Sequence, residues 1–202
     1  MIKFNKNEVS IVDSNNQDLY QYRVFVGKHH IHTSNRNSYW YIMDNSFVCS
    51  KTGDGSVITS EKMCVELYGY TPETRICSFT RGTDLPYVNG CSTKQLIPPV
   101  RPGDPTFQML QIPSGSSEQA HHIHATPRVV YVADGHGVSV IGTPGNKTNI
   151  PLETGDVIIL TKMESHHFET TDSNLTVLPV HIFSSIQSEE FNHPMFNGTH
   201  KV

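Results

Sequence analysis

The chain has 202 residues, and its 15 Lys and Arg against 19 Asp and Glu give a formal net charge of −4. A small negative charge argues against nucleic acid or an anionic membrane as the main partner, so we expect a small-molecule ligand. Fourteen Gly and 12 Pro interrupt the whole chain. They favour short strands with turns over long helices, in one substantial domain or two small halves.

We expect a cytoplasmic protein. The opening MIKFNKNEVS lacks the apolar stretch of a secretory signal, and no apolar run approaches the roughly 20 residues of a membrane helix. The four cysteines form no CxxC pair, which is typical of reduced, buried thiols. They are Cys49, Cys64, Cys77 and Cys91.

Short β-favouring segments follow one another along the first half. The predicted strands are Tyr20–Val26, Ser38–Met43, Ser46–Ser50, Met63–Tyr68 and Thr74–Phe79. The proline-rich stretch Gly90–Asp104 follows, and we expect it to connect the two halves.

The second half has the same character. Its predicted strands are Thr106–Ile112, His121–Ala133, Val138–Gly142, Asp156–Leu160 and Asn174–Phe183, with a hairpin turn at Asp134–Gly137 and a turn at Thr143–Lys147. The polar tail Ser184–Val202 is expected on the surface. Short strands at this spacing indicate an all-β protein, either an antiparallel sandwich or a barrel.

The sequence repeats itself at an offset of 92 residues. His29-His30-Ile31-His32 aligns with His121-His122-Ile123-His124, and eleven residues are identical over positions 29 to 65. A fixed offset of this kind indicates duplication of one structural unit. We therefore expect two halves, residues 1–92 and 93–202, although a single barrel with flanking amino-terminal strands would also fit.

Histidine is unusually frequent, with 12 residues, and eight of them are clustered. Alternate residues of a strand share a face, so His122 and His124 point the same way. A third imidazole from His166 or His167, after the following strand, would complete a three-histidine metal site with open coordination positions.

These residues resemble the two motifs of the cupins. Gly115, the HxH of His122 and His124, and Gly135 fill the first motif, while Gly155 and His166 stand at the spacing of the second. The resemblance covers about residues 106–183. It implies an antiparallel β-barrel of the jelly-roll type, with His122, His124 and His166 holding a metal in its mouth.

The sequence departs from the cupin pattern at the acidic ligand, because Arg128 stands there. A guanidinium cannot coordinate a cation, so the site resembles the three-histidine cupins typified by gentisate and cysteine dioxygenases. Arg128 shares the strand parity of the ligands. Either it reaches into the barrel and binds a substrate carboxylate, or it turns to the rim and pairs with a structural acid.

The first half lacks a third imidazole, because the 92-residue offset places Thr74 where His166 stands. We therefore predict a degenerate amino-terminal copy, in which the run His29–His32 is structural or exposed. In the second half, Val130, Val132 and Phe168 are expected to form an apolar pocket wall, and Tyr131 to pack outside it. His167 is expected behind the ligands or exposed, and His181 either buried with a partner or lining the pocket.

The resemblance implies a mononuclear Fe(II) dioxygenase that acts on a small anionic, chelating substrate bound by Arg128, Val130 and Phe168. The same ligands would also accept Mn, Ni, Cu or Zn. Two alternatives stay open, namely a metal-dependent lyase or isomerase of a small polar metabolite, and a non-enzymatic ligand-binding barrel. We expect a monomer or a homodimer.

Overall fold

The computed structural model describes residues 1–14, 21–33, 38–68, 73–99 and 104–182. Strands dominate these residues, and every strand pair is antiparallel. The strands are β1 Ile2–Phe4, β2 Ser10–Asp13, β3 Tyr22–Val26, β4 His29–His32, β5 Ser38–Met43, β6 Phe47–Thr52, β7 Val57–Ser60, β8 Met63–Tyr68, β9 Arg75–Ser78, β10 Leu85–Pro86, β11 Ser92–Ile97, β12 Thr106–Ile112, β13 Arg128–Thr143, β14 Asn146–Glu153, β15 Val157–Leu160, β16 His166–Glu169 and β17 Leu175–His181.

The strands form three sheets. The largest has the order β1-β15-β13-β17-β12-β11-β10, and β14 and β16 pair with the second half of β13. A six-stranded sheet has the order β2-β3-β8-β5-β6-β9, and β4 pairs with β7. The large sheet and its branches include His136, His166, His167 and His181.

The core has three parts, set by the alternation of side chains along the strands. Val129 and Tyr131 of β13 face a cluster shared with the six-stranded sheet, which includes Tyr41 and Met63. Val130 and Val132 face the opposite way, into a second cluster formed by the large sheet and its branches. A third cluster joins the six-stranded sheet to the β4–β7 pair and includes Phe25, Trp40, Ile42, Ile58 and Cys64. Strand β13 is therefore buried on both faces where it passes the site.

The predicted hairpin at Asp134–Gly137 is wrong, because β13 runs unbroken from Arg128 to Thr143. Gly135 and Gly137 instead allow neighbouring backbone segments to approach β13 closely. A Cβ on Gly135 (φ +79°) would lie 1.8 Å from the Asn174 carbonyl oxygen, and one on Gly137 would lie 2.7 Å from the Glu169 carbonyl oxygen. A register shift between Val132 and Asp134 bends the strand here.

Several predicted strands are confirmed. Thr106–Ile112, Ser38–Met43 and Met63–Tyr68 have the predicted bounds, and the turn at Thr143–Lys147 joins β13 to β14. The connection expected over Gly90–Asp104 is wrong in part, because β11 occupies Ser92–Ile97 and pairs with β12. Eight strands were not predicted, namely β1, β2, β4, β7, β10, β11, β14 and β16. The predicted strand His121–Ala133 is wrong over residues 121–127, because β13 begins at Arg128 and only an isolated bridge joins His122 to His166. The tail from residue 183 onward, Arg36 and Tyr20 lie outside the described residues.

Strand pairing follows the 92-residue offset only in part. Strands β5 and β8 pair, and so do β13 and β15, which contain their offset counterparts. Strand β4, with His29–His32, pairs with β7, whereas the offset partners of β7 lie in β14 and pair with β13. The duplication therefore stays a prediction, as does the division at residues 92 and 93. The large sheet itself includes β1 and β10 from the amino-terminal side of that division.

Candidate metal centre

The segment between β12 and β13 lies along β16 and positions the first two histidines. The backbone amide of His122 donates to the His166 carbonyl at 3.0 Å, and the amide of His166 donates back to the His122 carbonyl at 2.8 Å. Further along, the Glu118 amide donates to the Phe168 carbonyl at 3.2 Å. Two sequence-distant parts of the chain are thereby held side by side.

This pairing brings His122, His124 and His166 together. Their nearest ligand nitrogens lie within 4.8 Å of one another, and the Nε2 atoms of His122 and His124 are 3.1 Å apart. Two nitrogens that each lie about 2.1 Å from one ion are about 3.0 Å apart in octahedral and about 3.4 Å apart in tetrahedral coordination. The spacing therefore fits a shared metal ion.

Backbone carbonyls fix the orientation of two of these rings. The Nδ1 group of His122 donates to the Ala120 carbonyl at 2.9 Å, and that of His166 donates to the Glu164 carbonyl at 2.7 Å. With the proton on Nδ1, each Nε2 carries the lone pair. This is the arrangement that a metal-ligating histidine needs.

The three imidazoles are held neutral. Burial lowers the pKa of His166 to about 4, and burial, followed by the charge of Arg128, lowers the pKa of His124 to about 3. Burial also lowers the pKa of His122. Neutral imidazole is the form that binds a cation, so the protein prepares the cluster for a metal across the neutral pH range.

A cavity of about 290 Å³ opens beside the cluster and is lined by His124 and His166. Its apolar wall contains Val130 and Phe168, as the sequence predicts, together with Leu110, Leu160, Val177 and Pro179. Polar side chains line the other side, among them Thr93, Gln95 and Gln108. The volume suits a small molecule of roughly metabolite size.

Arg128 also lines this cavity, and only 7% of the residue is exposed. Its Nη1 donates to the Thr126 hydroxyl at 2.8 Å and to the Thr126 carbonyl at 3.3 Å. Burial lowers its pKa to about 10, which leaves the guanidinium charged at neutral pH. Of the two orientations considered from the sequence, the structure has the one that faces the cavity.

Sequence reasoning missed Glu118, which lines the same cavity and is 6% exposed. Its carboxylate lies 3.9 Å from His122 Nε2, and burial raises its pKa to about 7. The residue stands four positions before His122 in a run of Ser and Gln that reads as an exposed turn. No periodic signal in the sequence marks it as buried.

Behind the cluster, His121 and His167 form a chain of hydrogen bonds on the far side of β16. Their Nδ1 atoms are 2.7 Å apart, His121 Nε2 donates to the Gly142 carbonyl at 2.5 Å, and His167 Nε2 lies 2.6 Å from the Glu169 carboxylate. His167 is buried behind the ligands, one of its two expected positions.

The structure shows where Tyr131 and His181 lie relative to the cavity. Tyr131 packs in the core between the sheets, as predicted. His181 lines the cavity, and burial, followed by the charge of Arg128, lowers its pKa well below the ordinary value. The expectation that Val132 forms part of the pocket wall is wrong, because Val132 does not line this cavity and packs in the second core cluster instead.

In the first half, His30 and His32 are exposed and their ring centroids are 5.5 Å apart. Among the described residues, the only group of three or more possible ligands is His122, His124 and His166. Thr74, at the position that corresponds to His166, is exposed. The described part of the amino-terminal half therefore offers no third ligand.

All four cysteines are free thiols. In the ranges that the structure describes, no helix combines the length and the apolar character that a membrane span requires.

Comparison with solved structures identifies the fold. The chain is similar to a cupin 2 conserved barrel domain protein from Leptotrichia buccalis, with a TM-score of 0.51, 15% identity, and coverage of 89% of this chain and 91% of that one. It is also similar to the oxalate decarboxylase of Lactobacillus farciminis in its formate complex, with a TM-score of 0.52, 12% identity, and coverage of 91% and 86%. A putative glyoxylate induced protein from Pseudomonas aeruginosa gives a TM-score of 0.55, 10% identity, and coverage of 91% and 83%.

No family model and no curated protein matches the sequence. At these identities the structural similarity establishes the fold alone, which is the antiparallel cupin barrel that the motifs predict.

Proposed function

We propose that this protein, which has the cupin fold, is a mononuclear metal-dependent enzyme, and specifically an Fe(II) dioxygenase acting on a small anionic substrate. One observation carries the proposal. Three imidazoles held neutral, two of them with Nε2 freed by backbone carbonyls, converge beside a cavity of about 290 Å³. Three protein ligands leave positions on the ion for a substrate and a second small molecule.

The donor set suits a divalent transition metal. Imidazole binds iron, zinc, copper and nickel, and affinity alone does not select iron, so Mn, Ni, Cu and Zn stay alternatives. Bound Fe(II) would supply the means to couple an anionic substrate with oxygen. The chain's own residues bind and orient that substrate.

Arg128 is the proposed anchor of the substrate. Its buried guanidinium lies in the cavity with His124 and is suited to a carboxylate, which it can bind through two parallel hydrogen bonds. Val130 and Phe168 would cover the apolar part of the substrate and exclude water. Exclusion of water strengthens the attraction between the guanidinium and the anion.

Oxygen consumption tests the reaction class. Protein purified without added metal is analysed for its metal content, reconstituted with Fe(II), and screened with small carboxylic acids in an oxygen electrode. We expect oxygen uptake that needs both Fe(II) and His124. The matched control is His32→Ala, which alters an exposed histidine of the other half.

Two other results would replace the proposal. Turnover of an acid at the same rate under anaerobic conditions would assign a metal-dependent lyase or isomerase. Binding of an acid without turnover, unaffected by removal of the metal, would assign a non-enzymatic binding protein. A cytoplasmic location and a monomeric or homodimeric state stay predictions.

A further inference from the structure

The cupin motif places an acidic ligand at the position that Arg128 occupies here, while a buried carboxylate of different origin lies beside the histidines. We infer that Glu118 supplies a fourth ligand to the metal at His122, His124 and His166, and so replaces the missing acid. The inference rests on the proposed metal site and adds a residue that the motif does not contain.

The state of the Glu118 carboxylate is the first support. The residue is 6% exposed, and within the described structure its Oε1 atom is buried without a hydrogen-bond partner. Buried polar atoms in native proteins nearly always have a partner, and an unpaired buried carboxylate costs several kcal/mol. A cation in the cavity would be the partner that compensates this cost.

Distance is the second support. Glu118 Oε1 lies 3.9 Å from His122 Nε2. Two ligand atoms that each lie about 2.1 Å from one ion are separated by about 3.0 Å when adjacent and by at most about 4.2 Å when opposite. The observed separation falls inside this range, so Glu118 and His122 can share an ion. Glu118 does not belong to the group of ligand atoms that lie within 4.8 Å of one another, so its side chain has to turn toward the three histidines when the metal binds.

The backbone gives Glu118 a fixed position. Its amide donates to the Phe168 carbonyl, two residues beyond His166 on β16, and its side chain lines the cavity with Phe168 and His166. The backbone of Glu118 is thereby held beside β16 before a metal arrives, so that only its side chain has to turn.

The charges remain suited to an anionic substrate. Glu118 contributes −1, Arg128 contributes +1 and a divalent ion contributes +2, while the histidines are neutral, so the site carries a net +2. The acid and the cation have exchanged places relative to the motif. The acid at 118 would ligate the metal, and the cation at 128 would face the substrate.

Gln119 is the competing candidate, because its side-chain nitrogen lies 3.0 Å from His122 Nε2. The amide donates to that lone pair, so it must move away when a metal binds there. A neutral amide carries no charge whose burial costs free energy, so it needs no cation as a partner. Replacement of Gln119 therefore serves as the control from the same cavity.

Cobalt titration tests the inference without turnover. Metal-free wild type, Glu118→Gln, Gln119→Leu and the exposed control Glu153→Gln are titrated with Co(II), and affinity and the visible absorption spectrum are recorded. We expect Glu118→Gln to bind Co(II) about 100-fold more weakly and with an altered spectrum. The two controls should stay within about tenfold of wild type and keep its spectrum.

Thermal unfolding distinguishes a lost ligand from a damaged fold. Without metal, Glu118→Gln should melt a few degrees higher than wild type, because it removes a buried charge. Co(II) should raise its melting temperature less than that of wild type. A general packing defect would lower the melting temperature in both conditions.

Wild-type affinity and spectrum in Glu118→Gln would overturn the inference and leave the three-histidine site standing if His124→Ala still loses Co(II). Should Glu118→Gln fail to fold, Glu118→Asp decides, since an unchanged affinity and spectrum in the shorter acid would also overturn it. Co(II) binding that survives His124→Ala, or is absent from wild type, would refute the proposed metal site itself.

Discussion

Arg128 and His181 are direct partners across β13 and β17, and both side chains line the cavity that contains His124. Burial and the neighbouring guanidinium keep His181 neutral, since its pKa lies well below the ordinary value. Arg128 is therefore the fixed positive charge of this pair. An anionic substrate would meet one cation and one neutral hydrogen-bonding ring.

Replacement of Arg128 by Met should raise KM for a carboxylate substrate about 30-fold and change kcat less. Loss of a charged hydrogen bond costs about 2 kcal/mol, and the guanidinium acts on binding rather than on the reacting atoms. Steady-state kinetics checks this, with Arg75→Met on the distant strand β9 as the control. The KM of Arg128→Lys should lie between those of wild type and Arg128→Met, because lysine keeps the charge but loses the bidentate geometry. An unchanged KM would assign Arg128 a structural role.

Replacement of His124 by Ala should remove most of the bound metal, whereas His32→Ala should remove little. His124 has two imidazole neighbours within ligand distance, while His30 and His32 are exposed and join no group of three in the described residues. Elemental analysis of the purified variants measures the difference. Equal losses from both variants would mean that the amino-terminal half also binds metal.

Stability of the metal-free protein should fall as the pH drops from 6.5 to 4. An unfolded histidine takes up a proton near pH 6.5, but His166 and His124 in the fold do so only near pH 4 and pH 3, because burial lowers their pKa. The unfolded state therefore binds more protons in this window, which costs on the order of 5 kcal/mol of stability for the two histidines together. Urea unfolding at several pH values measures it.

Glu118 should have the opposite effect on the pH dependence of stability. Burial raises its pKa to about 7, so its contribution to folding stability is present below its unfolded pKa and is lost as the pH rises through 7. Replacement of His166 by Asn should reduce the loss of stability at acid pH. Glu118→Gln should reduce the loss of stability as the pH rises through 7. Identical profiles for these variants and wild type would contradict the assignment.

Gly135→Ala should destabilise the protein by more than about 3 kcal/mol, and Gly145→Ala by about 1 kcal/mol. Both glycines have positive φ, which a side chain tolerates poorly, but their surroundings differ. A Cβ at Gly135 would lie 1.8 Å from the Asn174 carbonyl oxygen, whereas nothing lies within 4 Å at Gly145. Chemical denaturation of the two variants measures both effects. Gly145→Ala reports the backbone strain alone, and Gly135→Ala reports the strain together with the clash. Equal effects would show that the contact relaxes at little cost.

These glycines also show where the sequence misleads. Asp134-Gly135-His136-Gly137 has the composition of a hairpin turn, but the tertiary contact of Gly135 with Asn174 decides its role. Such a contact joins segments far apart in sequence and leaves no local pattern. Thr106–Ile112 was predicted with its observed bounds because its signal, a short run of apolar and β-favouring residues, is local.

The candidate site likewise contains residues that the sequence predicts and one, Glu118, that it does not. The spacing of the cupin motifs identifies His122, His124 and His166, and the structure brings them together. The strand predicted over His122 and His124 is absent, since β13 begins at Arg128. Glu118 is absent from the motifs. Its burial arises from the pairing of residues 117 and 122 with β16, which depends on the closed barrel rather than on neighbouring residues.

Strand β1 has a consequence for how the chain reaches this structure. Ile2 pairs with Ile159, so β1 stays unpaired until β15, which lies far along the chain, is available. The large sheet therefore gains its β1 edge only through a contact between segments that are far apart in sequence. A fragment that begins at residue 93 would expose the edge of β15, and we expect it to aggregate where the full chain folds.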